Sequence, residues 1–269
     1  MKTENTKERT DILEQLAAAR LQDALESEMK VPFAEMLERA AIAPAPRDFA
    51  AAFSGSGTRI IAELKRASPS EGNIRTAFEP AALARELEDA GAAALSVLCE
   101  PHRFLGSMDF LREARGATRL PVLCKDFISS RYQIAEARAA GADAVLLIAA
   151  VLDPGALSSL AAFARSLGME ALVEAHDARE IAVAADCGAR IVGVNCRDLR
   201  NFETDVSLLE SLVPLIPRPL VRIAESGMHS RRAVERAKTA GADGFLVGTA
   251  LMRAQRPGLK LHELAGTPA

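Results

Sequence analysis

A glutamate and a lysine two residues apart close an apolar, strand-like run near residue 60. The run Ile60-Ile61-Ala62-Glu63-Leu64-Lys65 alternates faces if it is a strand, so Glu63 and Lys65 share a face with Ile61. Charged side chains are rarely buried without a partner or a function. The pair therefore indicates a polar site at the end of a buried strand. The alternative is an edge strand with a solvated ion pair, which we expect to carry more polar residues earlier in the run.

Polar residues also end five other apolar runs. They are Lys125 and Asp126, then Glu174, then Asn195, Arg197 and Asp198, then Glu225, Ser226 and Gly227, and finally Gly248 and Thr249. In a barrel of parallel strands, such ends meet at one mouth, where active sites form. We interpret Asp126 and Asp198 as loop or helix caps, and Cys124 and Cys196 as residues that face the helices.

The chemistry available at these ends is acid–base chemistry with two lysines and two or three carboxylates. Lys125, partly desolvated and near other cations, is expected to have a lowered pKa that suits proton transfer. A Schiff-base role, as in barrel aldolases, is the alternative. None of the four histidines is interpreted as a catalytic base, and no ligand spacing indicates a metal site.

Two strand ends have the composition of an anion site. Ser226-Gly227 and Gly248-Thr249 follow the predicted seventh and eighth strands, where barrels commonly bind phosphate. Glycine lets an oxyanion approach the backbone, and the hydroxyl adds a donor. Each pair alone could serve only a turn, but the two together favour phosphate binding.

An Ala-Gly-Ala or Cys-Gly-Ala step recurs about every 50 residues, which corresponds to two βα units. Each glycine ends a helical pattern, and an apolar run follows. Eight strands are predicted, at residues 59–65, 93–98, 121–125, 144–148, 170–174, 191–195, 220–225 and 244–248. Helices are predicted between them, for example at 79–90, 129–140, 154–167 and 230–240.

Nearly all-apolar strands that alternate with helices favour a parallel sheet buried on both faces. We predict an α/β fold, a closed (βα)₈ TIM barrel at residues 59–269, with an N-terminal helical extension at residues 1–58 packed on it as part of a single domain. An open sheet is less favoured, because no G-x-G-x-x-G follows the first strand. The extension is predicted to form helices at 10–29 and 32–40, either as a cap on the side or rim or as a lid over the site.

Composition excludes several other classes of protein. The 269 residues are 49% hydrophobic with a net charge of −3, so no basic field indicates nucleic-acid binding. No apolar run approaches the ~20 residues that span a bilayer, and the charged residues 1–11 do not resemble a signal or transit peptide. The four cysteines lack C-x-x-C spacing and are expected to be reduced, which favours a cytoplasmic protein.

Seven ordered motifs resemble those of the indole-3-glycerol phosphate synthase family. The first runs from Ile61 to Ser70, and the second combines Leu95 to Leu98, Glu100-Pro101 and Phe104 to Ser107. The other five are Leu123 to Ile128, Leu172 to Asp177, Gly193 to Leu199, Ala224 to Gly227, and Val247 to Met252. Ile12-Leu13 and the segment from Ala43 to Phe49 fit the family's N-terminal extension. The resemblance covers nearly the whole chain.

The resemblance implies a lyase of tryptophan biosynthesis that acts without a cofactor. It would convert 1-(2-carboxyphenylamino)-1-deoxyribulose 5-phosphate to indole-3-glycerol phosphate, with loss of CO₂ and water. Lys125 matches the family's general acid on the substrate carbonyl, and Glu174 matches the acid or base of the dehydration step. Lys65 matches a lysine near the carboxylate and hydroxyl chemistry, and Glu63 matches the carboxylate that orients this lysine. Asn195 and Glu225 match groups that hold the substrate. The implied substrate and phosphate contacts are Ser68, Arg197, Ser226, Gly227, Gly248 and Thr249, with Phe104 and Phe127 as aromatic walls.

Departures from the family pattern are small, and rival interpretations exist. Thr249 stands where the family often has serine, which keeps the hydroxyl, and Cys196 occupies a variable position.

A phosphoribosylanthranilate isomerase-like barrel would need a cysteine base at the end of the first strand, where this chain has Glu63-Leu64-Lys65. A Schiff-base aldolase and a non-catalytic binding barrel also compete with the synthase interpretation. The resemblance leaves open whether a partner chain exists, and which of the two lysines acts at which step.

Overall fold

The computed structural model describes residues 12–197 and 204–268, and eight parallel strands within them close into a barrel. The barrel strands are β1 (Ile60–Leu64), β4 (Ala94–Leu98), β5 (Val122–Lys125), β6 (Ala144–Ile148), β7 (Glu170–Ala175), β8 (Ile191–Asn195), β9 (Val221–Glu225) and β10 (Gly244–Val247). Each strand pairs with the next, and β10 pairs with β1. The predicted barrel is therefore confirmed. A hairpin of β2 (Ala67–Ser68) and β3 (Gly72–Asn73), which the sequence had not indicated, follows β1.

Helices alternate with the barrel strands, and two precede the first strand. They are α1 (Ile12–Lys30), α2 (Phe33–Ile42), α3 (Pro80–Asp89), α4 (Met108–Ala117), α5 (Arg131–Ala139), α6 (Pro154–Ser166), α7 (Ala178–Asp186), α8 (Ser207–Leu212), α9 (Arg231–Thr239), α10 (Thr249–Arg253) and α11 (Pro257–Ala265). Among the described helices, none has the length and apolarity that a bilayer crossing requires.

The strands bury both faces, as their apolar sequences predict. Ile61 belongs to the cluster inside the barrel, whereas Ile60 and Leu64 pack in the cluster between strands and helices. Cys124 and Cys196 lie in that outer cluster, as expected, and all four cysteines are buried and free. The alternation of β1 therefore turns Glu63 toward the barrel axis.

Two phenylalanines of the extension close the inner cluster. A 3₁₀ helix (Ala50–Phe53) follows Phe49, and the rings of Phe49 and Phe53 meet edge to face at 5.4 Å. Both side chains are buried in the inner cluster. Gly244 begins β10 beside Phe53, where a Cβ atom would overlap the ring, so glycine is required for this packing. Sequence patterns gave no sign of this contact.

The helices of the extension pack on the outside of the barrel. Ala24 of α1 and Met36 of α2 contact Tyr132 and Ala135 of α5 in a separate apolar cluster. This agrees with a cap on the side of the barrel. Residues 1–11, where the first predicted helix begins, lie outside the described residues.

A buried carboxylate joins the extension to the start of the barrel strands. Asp143 is fully buried and accepts the backbone N–H groups of Arg47 and Val122, each at 2.7 Å. The Arg115 guanidinium lies 3.0 Å from Asp143 Oδ2. One carboxylate thus satisfies groups from three parts of the chain.

Replacing Asp143 by alanine is expected to lower the free energy of unfolding by about 3–5 kcal/mol, because the Arg115 charge and two N–H groups lose their partner. Urea denaturation followed by circular dichroism measures the loss. Asp109→Ala is the control, since that exposed aspartate pairs with Arg112 in the same helix, and we expect a change within about 0.5 kcal/mol. An Asp143→Ala variant as stable as the control would contradict this role.

Candidate active site

Charged side chains from four barrel strands converge at the carboxyl ends of the strands. Glu63 lies near the end of β1, Lys125 ends β5, Glu174 lies near the end of β7 and Glu225 ends β9. Lys65 follows β1 directly. These carboxylates and Lys65 are buried. Because buried charges require partners, their mutual contacts decide what the cluster can do.

One cavity at this mouth is lined by every residue that the sequence had singled out for the site. These residues are Glu63, Lys65, Ser68, Phe104, Lys125, Phe127, Glu174, Asn195, Arg197, Glu225, Ser226, Gly227, Gly248 and Thr249. Asp126, interpreted as a cap, also lines it. No residue between 12 and 58 lines it. The expectations for Asp198 and Leu199 lie outside the described residues.

Lys125 is held between two glutamates. Its Nζ lies 3.0 Å from Glu174 Oε2 and 3.3 Å from Glu225 Oε2. The expectation of a lowered pKa is wrong. Burial does act to lower the pKa of Lys125, but the charges of Glu174, Glu225 and Glu63 outweigh burial and raise it. Lys125 is therefore an ammonium ion poised to donate hydrogen bonds.

The second lysine forms its own pair. Lys65 Nζ lies 2.9 Å from Glu63 Oε1, and both side chains are buried. Gly248 lies against this pair, and a Cβ atom there would overlap the Glu63 carboxylate and crowd Lys65. Glycine at this strand end thus makes room for the ion pair.

The two glutamates around Lys125 differ in protonation. Burial alone would raise the pKa of Glu174, but Lys125 and His176 hold that pKa down at about 2. Burial raises the pKa of Glu225 to about 8, and Glu174 adds to the rise while Lys125 opposes it. Oε1 of Glu225 is buried and accepts no hydrogen bond. Near neutral pH, Glu174 is the carboxylate and Glu225 holds a proton.

Asn195 is fixed by hydrogen bonds on its oxygen. The Ser226 hydroxyl donates to Asn195 Oδ1 at 2.7 Å, and the Arg197 N–H donates to the same atom at 3.1 Å. Asn195 also contributes to the lowered pKa of Glu174. Ser226 and Gly227 both have left-handed φ angles, 67° and 73°. This backbone turns sharply at the cavity wall beside β9.

The aromatic side of the cavity is held by a buried glutamate. Phe104 and Phe127 face each other with ring centroids 6.2 Å apart. Glu100 is fully buried and accepts the N–H groups of His102, Arg103 and Phe104 at 2.7, 2.7 and 2.8 Å. The loop that carries Phe104 is therefore fixed at its base.

The extension reaches the site through Asp126. Arg20 of α1 donates from Nε to Asp126 Oδ1 at 2.9 Å and from Nη2 to Oδ2 at 2.7 Å. The Phe127 N–H also donates to Asp126. The cap interpretation is thus right for Phe127 but incomplete, because Arg20 anchors the segment next to Lys125 from 106 residues away.

Two histidines near the site were passed over in the sequence. His229 lines the cavity, and His176 lies behind Glu174, with Nε2 3.4 Å from Glu174 Oε1. The available signal was spacing, because His176 follows Glu174 by two residues and strand alternation puts both on one side. Across the described ranges, no three His, Cys, Asp or Glu side chains are grouped as metal ligands would be.

A closed barrel with a buried lysine–glutamate cluster at its carboxyl mouth defines a TIM-barrel enzyme that works by acid–base chemistry. The family model for indole-3-glycerol phosphate synthase matches residues 13–264. The chain belongs to the indole-3-glycerol phosphate synthase family.

Individual relatives agree with this assignment. An indole-3-glycerol phosphate synthase of Albidiferax ferrireducens is 44% identical over 262 residues, 96% of this chain and 99% of the relative. An indole-3-glycerol phosphate synthase of Dehalococcoides mccartyi is 42% identical over 94% of this chain and 99% of the relative. Among solved structures, 3-hexulose-6-phosphate synthase from Salmonella typhimurium aligns with a TM-score of 0.63 at 16% identity, over 78% of this chain and 97% of that one. A mutant tryptophan synthase alpha-subunit from Pyrococcus furiosus aligns with a TM-score of 0.58 at 17% sequence identity, over 79% of this chain and 100% of that one. These structures share the fold.

Proposed function

We propose that the mouth cavity closes the indole ring of 1-(2-carboxyphenylamino)-1-deoxyribulose 5-phosphate and releases CO₂ and water. The chain is an indole-3-glycerol phosphate synthase of tryptophan biosynthesis, a carboxy-lyase that acts on a phosphorylated small molecule. The chemistry is assigned to this cavity because two lysines and three glutamates from the ends of four strands cluster there. Such a cluster can supply and remove protons at several atoms of one substrate.

Lys125 is the general acid of ring closure in this proposal. Attack of an aryl carbon on the substrate carbonyl places negative charge on the carbonyl oxygen, which an ammonium group can neutralise and protonate. The carboxylates around Lys125 keep it protonated. The same charge state argues against a Schiff base at Lys125, because imine formation needs a neutral amine.

Glu174 and the Glu63–Lys65 pair serve the later steps. Decarboxylation restores the aromatic ring, and dehydration then needs a group that moves a proton. Glu174 is ionised and suits proton removal. Lys65, oriented by Glu63 at 2.9 Å, is a second donor for the substrate carboxylate or hydroxyl. Asn195 and Glu225 hold the substrate beside them.

The rest of the cavity recognises the two ends of the substrate. Phe104 and Phe127 would flank the anthranilate ring, which suits their spacing and the fixed loop beneath Phe104. The phosphate would lie at the mouths of β9 and β10, against backbone N–H groups and side-chain donors. Its proposed contacts are Ser68, Arg197, Ser226, Gly227, Gly248 and Thr249. The free, buried cysteines are consistent with a cytoplasmic enzyme.

A direct assay tests the function. Purified protein mixed with the carboxyphenylamino-deoxyribulose phosphate is expected to produce a rising indole fluorescence. The protein background is low because the chain has no tryptophan and one tyrosine. Indole-3-glycerol phosphate identified by mass spectrometry would complete the test. A folded protein that produces no indole signal under these conditions would contradict the proposal.

A further inference from the structure

The proposed reaction has a proton balance that the cavity must satisfy. The substrate carboxylate carries one negative charge and leaves as neutral CO₂, while a hydroxyl leaves as neutral water and the phosphate keeps its charge. Charge conservation therefore requires the uptake of one proton per turnover. This requirement rests on the proposed function. The proton must come from solvent and reach a cluster whose carboxylates are almost fully buried.

A chain of three side chains leads from that cluster toward solvent. Glu174 shares its two oxygens between Lys125, 3.0 Å from Oε2, and His176, 3.4 Å from Oε1. The other ring nitrogen of His176, Nδ1, lies 3.2 Å from Glu180 Oε2. Exposure rises along the chain, from 2% for the side chain of Glu174 to 20% for His176 and 22% for Glu180.

The position of the imidazole is fixed by the start of α7. The His176 backbone N–H donates to Glu180 Oε2 at 2.7 Å, and the Glu180 N–H donates to the Asp177 side chain at 2.8 Å. Nε2 of His176 is buried and makes no hydrogen bond, although it lies 3.4 Å from Glu174 Oε1. A buried nitrogen this close to the Glu174 carboxylate, with no hydrogen-bond partner of its own, points to a role in the reaction.

We propose that His176 is a positioning residue that orients Glu174 and, through Glu174, returns to Lys125 the proton consumed in each turnover, with Glu180 holding the imidazole in place. In this step the Nε2–H bond of His176 breaks and an N–H bond forms on the Lys125 amine, which has given its proton to the substrate carbonyl oxygen. The Glu174 carboxylate carries the proton between them and is ionised again afterwards. The neutral imidazole keeps its Nδ1 proton toward Glu180. It regains its second proton from solvent before the next turnover, so charge and atoms balance.

The charges around His176 suit this role. Burial acts to lower its pKa, but the carboxylates of Glu180, Glu174 and Glu225 outweigh burial and raise the pKa above the usual value of 6.5. Glu174 also pairs with the Lys125 ammonium, which lies 3.0 Å from its Oε2. The imidazolium form therefore persists to higher pH than in an ordinary histidine and is lost as the pH rises through the raised pKa. A proton donor with this behaviour limits turnover on the alkaline side.

Substitution of His176 tests the proposal. His176→Asn keeps a polar side chain but cannot carry the proton, and we expect kcat to fall roughly tenfold with KM unchanged, less than the ~10² of a group that acts on the substrate itself. In His176→Ala, added imidazole is expected to restore part of kcat. Glu180→Gln should move the alkaline limb of the kcat profile to lower pH, because it removes a carboxylate that raises the pKa of His176.

The control is His262→Asn. His262 lies in α11 against Thr267 and lines no part of the cavity, so its loss should leave kcat unchanged. A kcat within twofold of wild type for His176→Asn would overturn the proposal. So would a loss that imidazole does not restore and that leaves the alkaline limb in place, since that pattern describes a merely structural residue. If the wild-type protein forms no indole product, the proposed function fails and this inference with it. An active wild type with unaffected His176 variants rejects the inference alone.

Discussion

The Lys125→Ala variant is expected to turn over at least ~10²-fold more slowly than the wild type, with the fold intact. The Lys125 ammonium is the cation between Glu174 and Glu225, at 3.0 and 3.3 Å, and it is the proposed acid on the substrate carbonyl. Without it, charge that develops on the carbonyl oxygen meets no donor. The loss should appear in kcat, because the missing interaction forms only in the transition state.

A second variant separates the effect of the lost charge on kcat from the effect of the lost side-chain packing. Lys125→Met keeps most of the side-chain volume without the charge, so an equal loss in both variants assigns the effect to the ammonium. Lys260→Ala removes a surface lysine that pairs with Glu263 and should leave kcat unchanged. Circular dichroism melts show whether the variants fold. Near-normal turnover in folded Lys125→Ala would rule out the assignment of Lys125 as the acid.

The position of the site was predictable because parallel strands bring their carboxyl ends together. Glu63, Lys125, Glu174 and Glu225 are separated widely in the sequence, yet each follows a recognisable apolar run. The local rule that strands are buried and polar residues end them suffices to place such residues at one mouth. The face that each residue uses also follows from the alternation of strand side chains.

The charge states at the mouth were not predictable, since they depend on distances between strands. The pKa of Lys125 is set by Glu174 and Glu225, which lie 49 and 100 residues away in the sequence. A sequence shows that Lys125 is desolvated but not how many carboxylates surround it. The same limit hid the Arg20–Asp126 ion pair, whose partners are 106 residues apart. The residue types near a position in the sequence do not show which side chains contact it across the barrel, because those contacts depend on the register of the strands.

The two glutamates that contact Lys125 are expected to respond differently to the same substitution. Glu174→Gln should lower kcat at least ~10²-fold, because glutamine cannot act as a base. Glu225→Gln should lower kcat less than about tenfold, since glutamine resembles the protonated carboxyl group that Glu225 presents near neutral pH. The comparison uses the steady-state kcat of both variants at pH 7. Because both replace glutamate by glutamine, the change in side-chain size is the same in each.

The pH dependence of stability provides an independent test of Glu225. Its pKa is raised from 4.5 to about 8 in the folded protein, so the folded state keeps a proton that the unfolded state releases. Its contribution to the free energy of unfolding is therefore complete below pH 4.5 and is lost as the pH rises to about 8. Glu174, with a pKa lowered to about 2, contributes in the opposite direction, and its stabilisation is lost at acidic pH.

The Glu225→Gln protein should therefore lose less stability than the wild type between pH 4.5 and about 8. Thermal melts across this window measure the difference, with Glu174→Gln as the comparison, because its loss should appear on the acidic side. Parallel pH profiles for the wild type and Glu225→Gln would mean that Glu225 is ionised in the folded protein. The cluster would then hold three carboxylates against two lysines, and Glu225→Gln should impair catalysis as severely as Glu174→Gln. The melts and the kinetics thus test the same protonation state by unrelated measurements.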